Sequence, residues 1–182
     1  STGSMSLDMQ MNGGHLSLGG VASGRVTVFA GPESSGKTFF AVNVVKDFLS
    51  RDENNVVVCF DSESNLTKNT FLNAGIEEKD LDRIVIDRVM TLEKFRTDMV
   101  RTYREAKESG AKIFVVLDSL GGLIPEKVVE EAMSKPNEDG ISEVKASVGR
   151  PQQIIKQTIG LMEHYAGQIN SPALIISHVY DT

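Results

Sequence analysis

The sequence predicts an α/β domain in which a mostly parallel sheet carries helices on both faces. Short, continuous apolar runs alternate along the 182 residues with longer amphipathic segments, which is the pattern of strands covered on both sides. A glycine-rich turn between the first strand and the first long helix supports the same fold class. The predicted strands are Val26–Ala30, Val56–Phe60, Ile84–Ile86, Ile113–Leu117 and Ala173–Ser177.

Three longer segments have the periodicity of helices that cover a sheet. The first runs from Lys37 to Leu49, the second from Thr91 to a stop at Gly110, and the third begins near Pro151. A short helix is predicted near Val128–Met133. The predicted apolar stripe is Phe40, Val44, Val45 and Phe48 in the first segment and Leu92, Phe95, Met99, Tyr103 and Ala106 in the second. In the third segment Ile154, Ile155, Ile159 and Met162 are expected to face the sheet.

The composition is that of one ordinary globular domain, with 40% hydrophobic and 24% charged residues. A formal net charge of -6 disfavours nucleic-acid binding by the bulk surface but allows binding by a local loop. The single cysteine, Cys59, lies in an apolar strand and excludes an internal disulfide, so we expect a buried thiol and a cytoplasmic protein. No apolar run approaches the roughly 18 residues of a membrane-spanning helix, and no His/Cys cluster suggests zinc.

Two segments stand apart from the core. Residues 1–4, Ser-Thr-Gly-Ser before Met5, are expected to be a remnant of an expression tag, which leaves residues 5–182 as one domain. Residues 125–150 contain Pro136, Gly140 and Gly149 and mix both signs of charge, so they are predicted to form a mobile excursion.

The phosphate-binding signal is the run Gly31-Pro32-Glu33-Ser34-Ser35-Gly36-Lys37-Thr38, which matches the P-loop pattern G-x-x-x-x-G-K-[ST]. The backbone N–H groups of such a loop and the positive end of the following helix favour phosphate oxygens. Lys37 is expected to bind the β- and γ-phosphates and to act in catalysis, and Thr38 to coordinate Mg²⁺. We therefore predict that residues 31–38, together with Phe39, bind ATP.

Polar residues at the ends of other strands extend this site. Asp118 follows five apolar residues, which is the Walker B pattern, and is predicted to hold Mg²⁺ with Thr38. Asp61 and Glu63 follow the second strand, and spacing alone leaves open whether Glu63 is a general base or a solvated loop residue. His178 follows the last strand, where spacing alone favours a plain loop histidine over a γ-phosphate sensor.

These motifs resemble those of the RecA-family recombinases, most closely their phage UvsX type. The P-loop is similar to the RecA form down to its Pro-Glu-Ser-Ser insert, and Phe60-Asp61-Ser62-Glu63 resembles the segment that holds the family's catalytic glutamate. Leu117-Asp118-Ser119-Leu120 resembles its Walker B strand end, and Ser177-His178-Val179-Tyr180 its γ-phosphate switch. The resemblance implies a RecA-like ATPase core in which Glu63 is catalytic and His178 is the sensor.

The resemblance also implies ATP and Mg²⁺ as ligands, self-association into a filament, and single-stranded DNA as the partner of the whole recombinase. The family's first DNA-binding loop would fall within residues 125–150, which carry four basic residues, Lys127, Lys135, Lys145 and Arg150, against six acids. Thr70 stands where the family usually has an adenine-stacking tyrosine, with Phe71 beside it. Because the family's amino-terminal docking helix and second DNA loop have no counterpart here, we expect a core trimmed at both ends.

Three other functions use similar motifs. The first is another RecA-fold motor, such as a ring helicase or a clock-type ATPase, which would form rings rather than filaments. The second is a small-molecule phosphotransferase, although such kinases usually have an Arg-rich lid and the excursion after Walker B has only Arg150. The third is a module that binds ATP without hydrolysing it.

Overall fold

A single five-stranded sheet forms the centre of the protein. The computed structural model describes residues 1–15, 19–134 and 150–179. Every strand pair is parallel, and the strands lie in the order β1-β5-β4-β2-β3, so the parallel α/β prediction is confirmed. The strands are β1 (Val26–Gly31), β2 (Val56–Asp61), β3 (Ile84–Arg88), β4 (Ile113–Asp118) and β5 (Ala173–His178).

Six helices accompany the sheet in the described part of the chain, and four of them were predicted. The two others, α1 and α3, have seven and six residues, which is too short for an apolar periodicity to appear. The helices are α1 (Met5–Met11), α2 (Lys37–Arg51), α3 (Lys68–Asn73), α4 (Leu92–Ser109), α5 (Glu126–Ser134) and α6 (Arg150–Gln168), with 3₁₀ turns at Glu78–Arg83 and Leu120–Gly122.

The helices cover both faces of the sheet. Val58 and Phe60 of β2 pack into a cluster with α4 and α6, whereas Val57 and Cys59 pack into a second cluster with α2 and α3. Alternation along a strand sends successive side chains to opposite faces, and burying a large apolar side chain contributes about 1.5–3 kcal/mol. This two-sided burial explains why the strands are continuous apolar runs.

The predicted helix faces are confirmed for α4, whose five predicted side chains are all buried. In α2 the prediction is wrong for Phe40, which is half-buried and belongs to neither cluster, whereas Phe48 packs against the second cluster. Ala41, Val42 and Leu49 complete the buried side. Phe40 lies three, seven and eleven positions before Asn43, Asp47 and Arg51, which places it at the edge of the polar side of this helix. Its spacing of four from Val44 therefore did not suffice to place it among the buried side chains.

The strand ends bring the polar residues of the sequence motifs together. Gly31 is aligned with His178 in the pairing of β1 with β5, and Asp61 with Asp118 in the pairing of β2 with β4. Each of these residues is the last of its strand. The strands thus continue one residue past their apolar runs, and the sheet fixes the spacing of the backbone at this carboxyl edge.

Some predictions fall outside the described residues. Residues 135–149 hold most of the predicted DNA-binding excursion, and Tyr180 belongs to the predicted switch, so both stay predictions. Residues 1–4 are described: the hydroxyl and the N–H of Thr2 each donate to Asp8 Oδ1 at 2.8 Å. Their origin in an expression tag stays a prediction. Among the described helices, none combines the length and apolarity needed to cross a membrane.

Candidate nucleotide-binding site

A cavity of about 320 Å³ opens at the carboxyl edge of the sheet, between the P-loop and the ends of β4 and β5. It brings together nearly all of the residues predicted from the motifs. Gly31 and Pro32 do not line the cavity, but their backbone oxygens accept hydrogen bonds from Lys37, which does. The lining residues are Glu33, Ser34, Ser35, Gly36, Lys37, Thr38, Phe39, Glu63, Asn65, Asp118 and His178.

The loop has the backbone geometry that its glycines allow. Gly36 immediately precedes α2 with φ at 85°, in the left-handed region that a side chain disfavours. At Gly31 a Cβ atom would lie 3.0 Å from the Ser35 hydroxyl oxygen, so a larger residue would crowd the loop. The turn itself thus favours glycine at both positions, through the backbone conformation at Gly36 and the close side chain at Gly31.

The Lys37 ammonium group lies inside the loop. Its Nζ donates to the backbone oxygens of Pro32 at 2.6 Å and Gly31 at 3.0 Å, and to the Ser35 hydroxyl at 3.4 Å. The residue is 8% exposed. These acceptors, which are the ones present in the described part of the chain, are all neutral, so a largely buried cation can exchange some of them for an anion.

Thr38 and Asp118 form an oxygen pair across the cavity. The Thr38 hydroxyl donates to Asp118 Oδ2 at 3.0 Å, although the two residues are 80 positions apart. Burial raises the pKa of the Asp118 carboxyl, and the nearby Glu63 and Asp61 carboxylates raise it further. A hydroxyl and a poorly solvated carboxylate are oxygen ligands that suit Mg²⁺, with phosphate and water as its other ligands. The residues present therefore fit this ion.

Glu63 is held by three side chains. Its Oε1 accepts a hydrogen bond from the Ser119 hydroxyl and lies 3.0 Å from His178 Nε2. Its Oε2 accepts from Asn65 Nδ2 at 3.0 Å. The carboxylate thus has a defined position at the cavity wall, rather than that of a freely solvated loop residue.

Asp61 has a structural role that spacing did not indicate. It is 1% exposed, and its carboxylate accepts the N–H groups of Glu63 and Asn65 at 3.2 Å and of Leu66 at 3.0 Å. These bonds shape the loop on which Glu63 lies. The only sequence signal was an aspartate at a strand end, where such side chains often bond to the following backbone.

Ser62 fastens the same loop to the end of β4. Its hydroxyl donates to the Ser119 backbone oxygen at 2.7 Å and accepts from the Ser119 N–H at 3.0 Å. Sequence reasoning missed Ser62, Asn65 and Ser119, because their contacts depend on which strands are neighbours.

Thr70 and Phe71 do not line the cavity. Thr70 Oγ1 accepts the Thr67 N–H at 3.1 Å and donates to the Asn65 backbone oxygen at 3.3 Å, as part of the amino-terminal cap of α3. Phe71 is 1% exposed and packs in the core. Phe71 is therefore closed off from the cavity, and the Thr70 hydroxyl serves the helix cap.

Comparison with known proteins places the chain in a family. The RecA N-terminal domain family matches residues 1–150, which is most of the chain. The chain belongs to the RecA family. The match includes the P-loop, the Glu63 loop and Asp118.

Individual relatives agree with this assignment. The "Recombination and repair protein" of Enterobacteria phage T4 is 30% identical over 164 residues, which cover 90% of this chain and 39% of the phage protein. "Protein RecA" of Sulfurimonas denitrificans is 33% identical over 137 residues, or 75% of this chain and 36% of that protein. "Protein RecA" of Aquifex pyrophilus is 26% identical over 178 residues, or 98% and 44%. The chain thus spans about two fifths of the length of these relatives.

Proposed function

We propose that the chain is the Mg²⁺-dependent ATP-binding core of a RecA- or UvsX-like recombinase and that the core hydrolyses ATP. The observation that carries the proposal is the convergence at one sheet edge of a P-loop lysine, the Thr38–Asp118 oxygen pair and the Glu63–His178 contact. Membership in the RecA family supports it, because relatives are named as RecA and as a recombination and repair protein.

In this proposal the loop supplies positioning and charge. Its backbone N–H groups and the start of α2 bind phosphate oxygens, while Lys37 exchanges its backbone acceptors for the β- and γ-phosphates. Thr38 and Asp118 hold Mg²⁺. When this ion is bound, it neutralises the charge that develops on the phosphates. Asp118 also gains a compensating cation for its buried carboxylate.

Glu63 would orient the attacking water and accept its proton. A positioned general base contributes about 10²–10⁴-fold to a rate. Ser119, Asn65 and His178 hold the carboxylate by hydrogen bonds, so its orientation is defined before a substrate arrives. Because His178 contacts Glu63 directly, a change at the γ-phosphate would reach the end of β5 through one hydrogen bond.

Calorimetry tests the binding step. Wild-type chain should bind ATP in Mg²⁺ and lose most of that affinity in excess chelator. Lys37→Gln should weaken binding strongly, whereas Lys79→Gln, which removes a lysine with a 72% exposed side chain, should not. Absence of Mg²⁺-dependent binding to the folded wild-type chain would reject the proposal.

Phosphate release tests the catalytic step. Glu63→Gln should abolish turnover and leave ATP affinity within a few-fold of the wild-type value. Glu53→Gln is the matched control, because Glu53 is an exposed acid outside the cavity. Turnover by the Glu63→Gln variant would show that another group acts as the base.

We further propose that the whole protein forms filaments on single-stranded DNA and promotes homologous strand exchange. ATP hydrolysis by this chain and by a carboxyl-extended form should be compared with and without single-stranded DNA. Stimulation in the extended form would support the recombinase, and filaments in electron micrographs would distinguish it from a ring-forming motor. Rings in place of filaments in the extended form would favour the ring-helicase or clock-type alternative.

A further inference from the structure

The P-loop accounts for the triphosphate of the proposed ligand but not for its base. Lys37, Thr38 and Asp118 address the phosphates and their ion, and Glu63 with His178 addresses the γ-phosphate end. A nucleobase needs a surface that can cover its planar face. The following inference rests on the proposed function and concerns that surface.

Phe39 is an aromatic side chain at the wall of the cavity, beside the P-loop. It follows Thr38 in the first turn of α2, lines the cavity and is 60% exposed. Its ring packs edge to face on Phe40, with ring centroids 5.7 Å apart and an interplanar angle of 72°. The ring therefore contacts the protein through Phe40, while most of its surface stays open to a ligand.

Five of the other cavity-lining side chains bond to one another. Thr38 bonds to Asp118, and Asn65 and His178 both bond to Glu63. Among the described lining residues, Phe39 is the one that carries a benzene ring. The nearby Phe71 is 1% exposed and belongs to the core.

We infer that Phe39 is the platform on which the nucleobase stacks, and that it selects nucleotides over inorganic triphosphate without selecting strongly among bases. Every base offers a π-face, so stacking tolerates base identity. Reading a base edge requires polar groups aimed at it, and the described polar side chains opposite the loop bond to each other instead. ATP, GTP and CTP should therefore bind this chain within about tenfold of one another.

A binding series with and without the base tests this role. The probes are Mg²⁺ complexes of ATP, GTP, CTP and inorganic tripolyphosphate. Phe39→Ala should weaken all three nucleotides by about tenfold or more and leave tripolyphosphate affinity unchanged. Phe39→Tyr should keep nucleotide affinity, and Phe39→Leu should fall between the two, because it keeps apolar area but has no ring. Met90→Ala, at a 61% exposed residue outside the cavity, is the control and should change nothing.

Fluorescence gives a second, direct readout. The chain contains no tryptophan, so Phe39→Trp places one selective reporter at the proposed platform. Base stacking should quench its emission with ATP, GTP and CTP, but not with tripolyphosphate at saturation. Equal responses to tripolyphosphate and ATP, or an unchanged ratio of their affinities in Phe39→Ala, would overturn the inference.

The two proposals fail in different ways. Loss of tripolyphosphate binding by the wild-type chain would reject the phosphate site itself. Tripolyphosphate binding that is as tight as nucleotide binding would keep the phosphate site and reject the platform. A wild-type preference for ATP over GTP of a hundredfold or more would also reject the tolerant platform, because it would require polar readout of the base edge.

Discussion

Glu63 and His178 are 115 positions apart in the sequence, yet His178 Nε2 lies 3.0 Å from Glu63 Oε1. The contact exists because β4 lies between β2 and β5 and all three strands end at the same edge of the sheet. Ser119 at the end of β4 donates to the same glutamate oxygen. The proposed catalytic base and the proposed sensor therefore form one hydrogen-bonded unit that spans three strands.

Asn65 is predicted to position Glu63. Asn65→Ala removes the hydrogen bond to Glu63 Oε2, so ATP turnover should fall about tenfold while KM for ATP stays within about twofold, since a misdirected base slows the chemical step and not binding. Asn65→Asp should lower turnover further, because it places a second carboxylate beside Glu63. Steady-state phosphate release measures both parameters.

The control for Asn65 is Asn54→Ala. Asn54 is an exposed asparagine outside the cavity that also donates to a carboxylate, that of Asp52. This change should leave kcat and KM as they are. Equal kcat values for Asn65→Ala and the wild-type chain would show that Ser119 and His178 suffice to hold Glu63.

Asp118→Asn should stabilise the chain without nucleotide while removing Mg²⁺-dependent binding. Burial raises the folded-state pKa of Asp118 above that of the unfolded chain. The stability that its neutral form contributes is present below the unfolded pKa and is lost as pH rises through the folded pKa. At neutral pH the ionised carboxylate is therefore a cost, which the amide avoids while keeping an acceptor for Thr38.

Thermal unfolding in chelator tests this pH dependence. At pH 7 the Tm of Asp118→Asn should be a few degrees higher than that of the wild-type chain. In a domain of this size, a gain of about 1 kcal/mol in the free energy of unfolding raises Tm by roughly 2–4 °C. The difference should shrink as pH is lowered. Asp82→Asn, at an exposed acid outside the cavity, is the comparison variant. A lower Tm for Asp118→Asn at pH 7 would contradict the argument.

The parts of the site that follow from the sequence are those with contiguous signals. The P-loop is one unbroken run, and Asp118 and His178 each follow an apolar strand, so elementary periodicity places them at one sheet edge. Ser119 and Asn65 could not be assigned in this way. Their bonds to Glu63 depend on strand order, and the alternation of strands and helices does not fix which strands are neighbours.

The fold shows the same division. The buried side of α4 follows from polar residues that mark its outer face, whereas in α2 the spacing of Phe40 from Val44 wrongly placed Phe40 with the buried side chains. The small side chain of Ala41 is buried instead. Asn43, Asp47 and Arg51 follow Phe40 at helical spacing, so the polar residues of α2 identify its outer side better than the distance between two apolar residues does.

Cys59 should be unreactive in the native protein. Burial raises the pKa of its thiol, and the thiolate is the reactive form. Labelling by a thiol reagent should therefore be slow, should not rise as pH approaches the ordinary thiol pKa, and should become fast in denaturant. Glu53→Cys supplies an exposed thiol for comparison. Native labelling of Cys59 at the rate of that thiol would show that the strand opens readily.

Tyr103→Phe should stabilise the protein. Tyr103 is 1% exposed, and its hydroxyl has no hydrogen-bond partner among the described residues. A buried hydroxyl without a partner costs about 1–3 kcal/mol, so its removal should raise the free energy of unfolding by about 1 kcal/mol once the lost packing of the oxygen is included. Urea unfolding at equal m-values measures the change.

The matched control is Tyr165→Phe, because Tyr165 stacks on Tyr103 with ring centroids 6.2 Å apart but is only half-buried. This change should alter the free energy of unfolding by less than about 0.5 kcal/mol. A loss of stability in Tyr103→Phe would mean that the hydroxyl is hydrogen-bonded in solution, through a buried water.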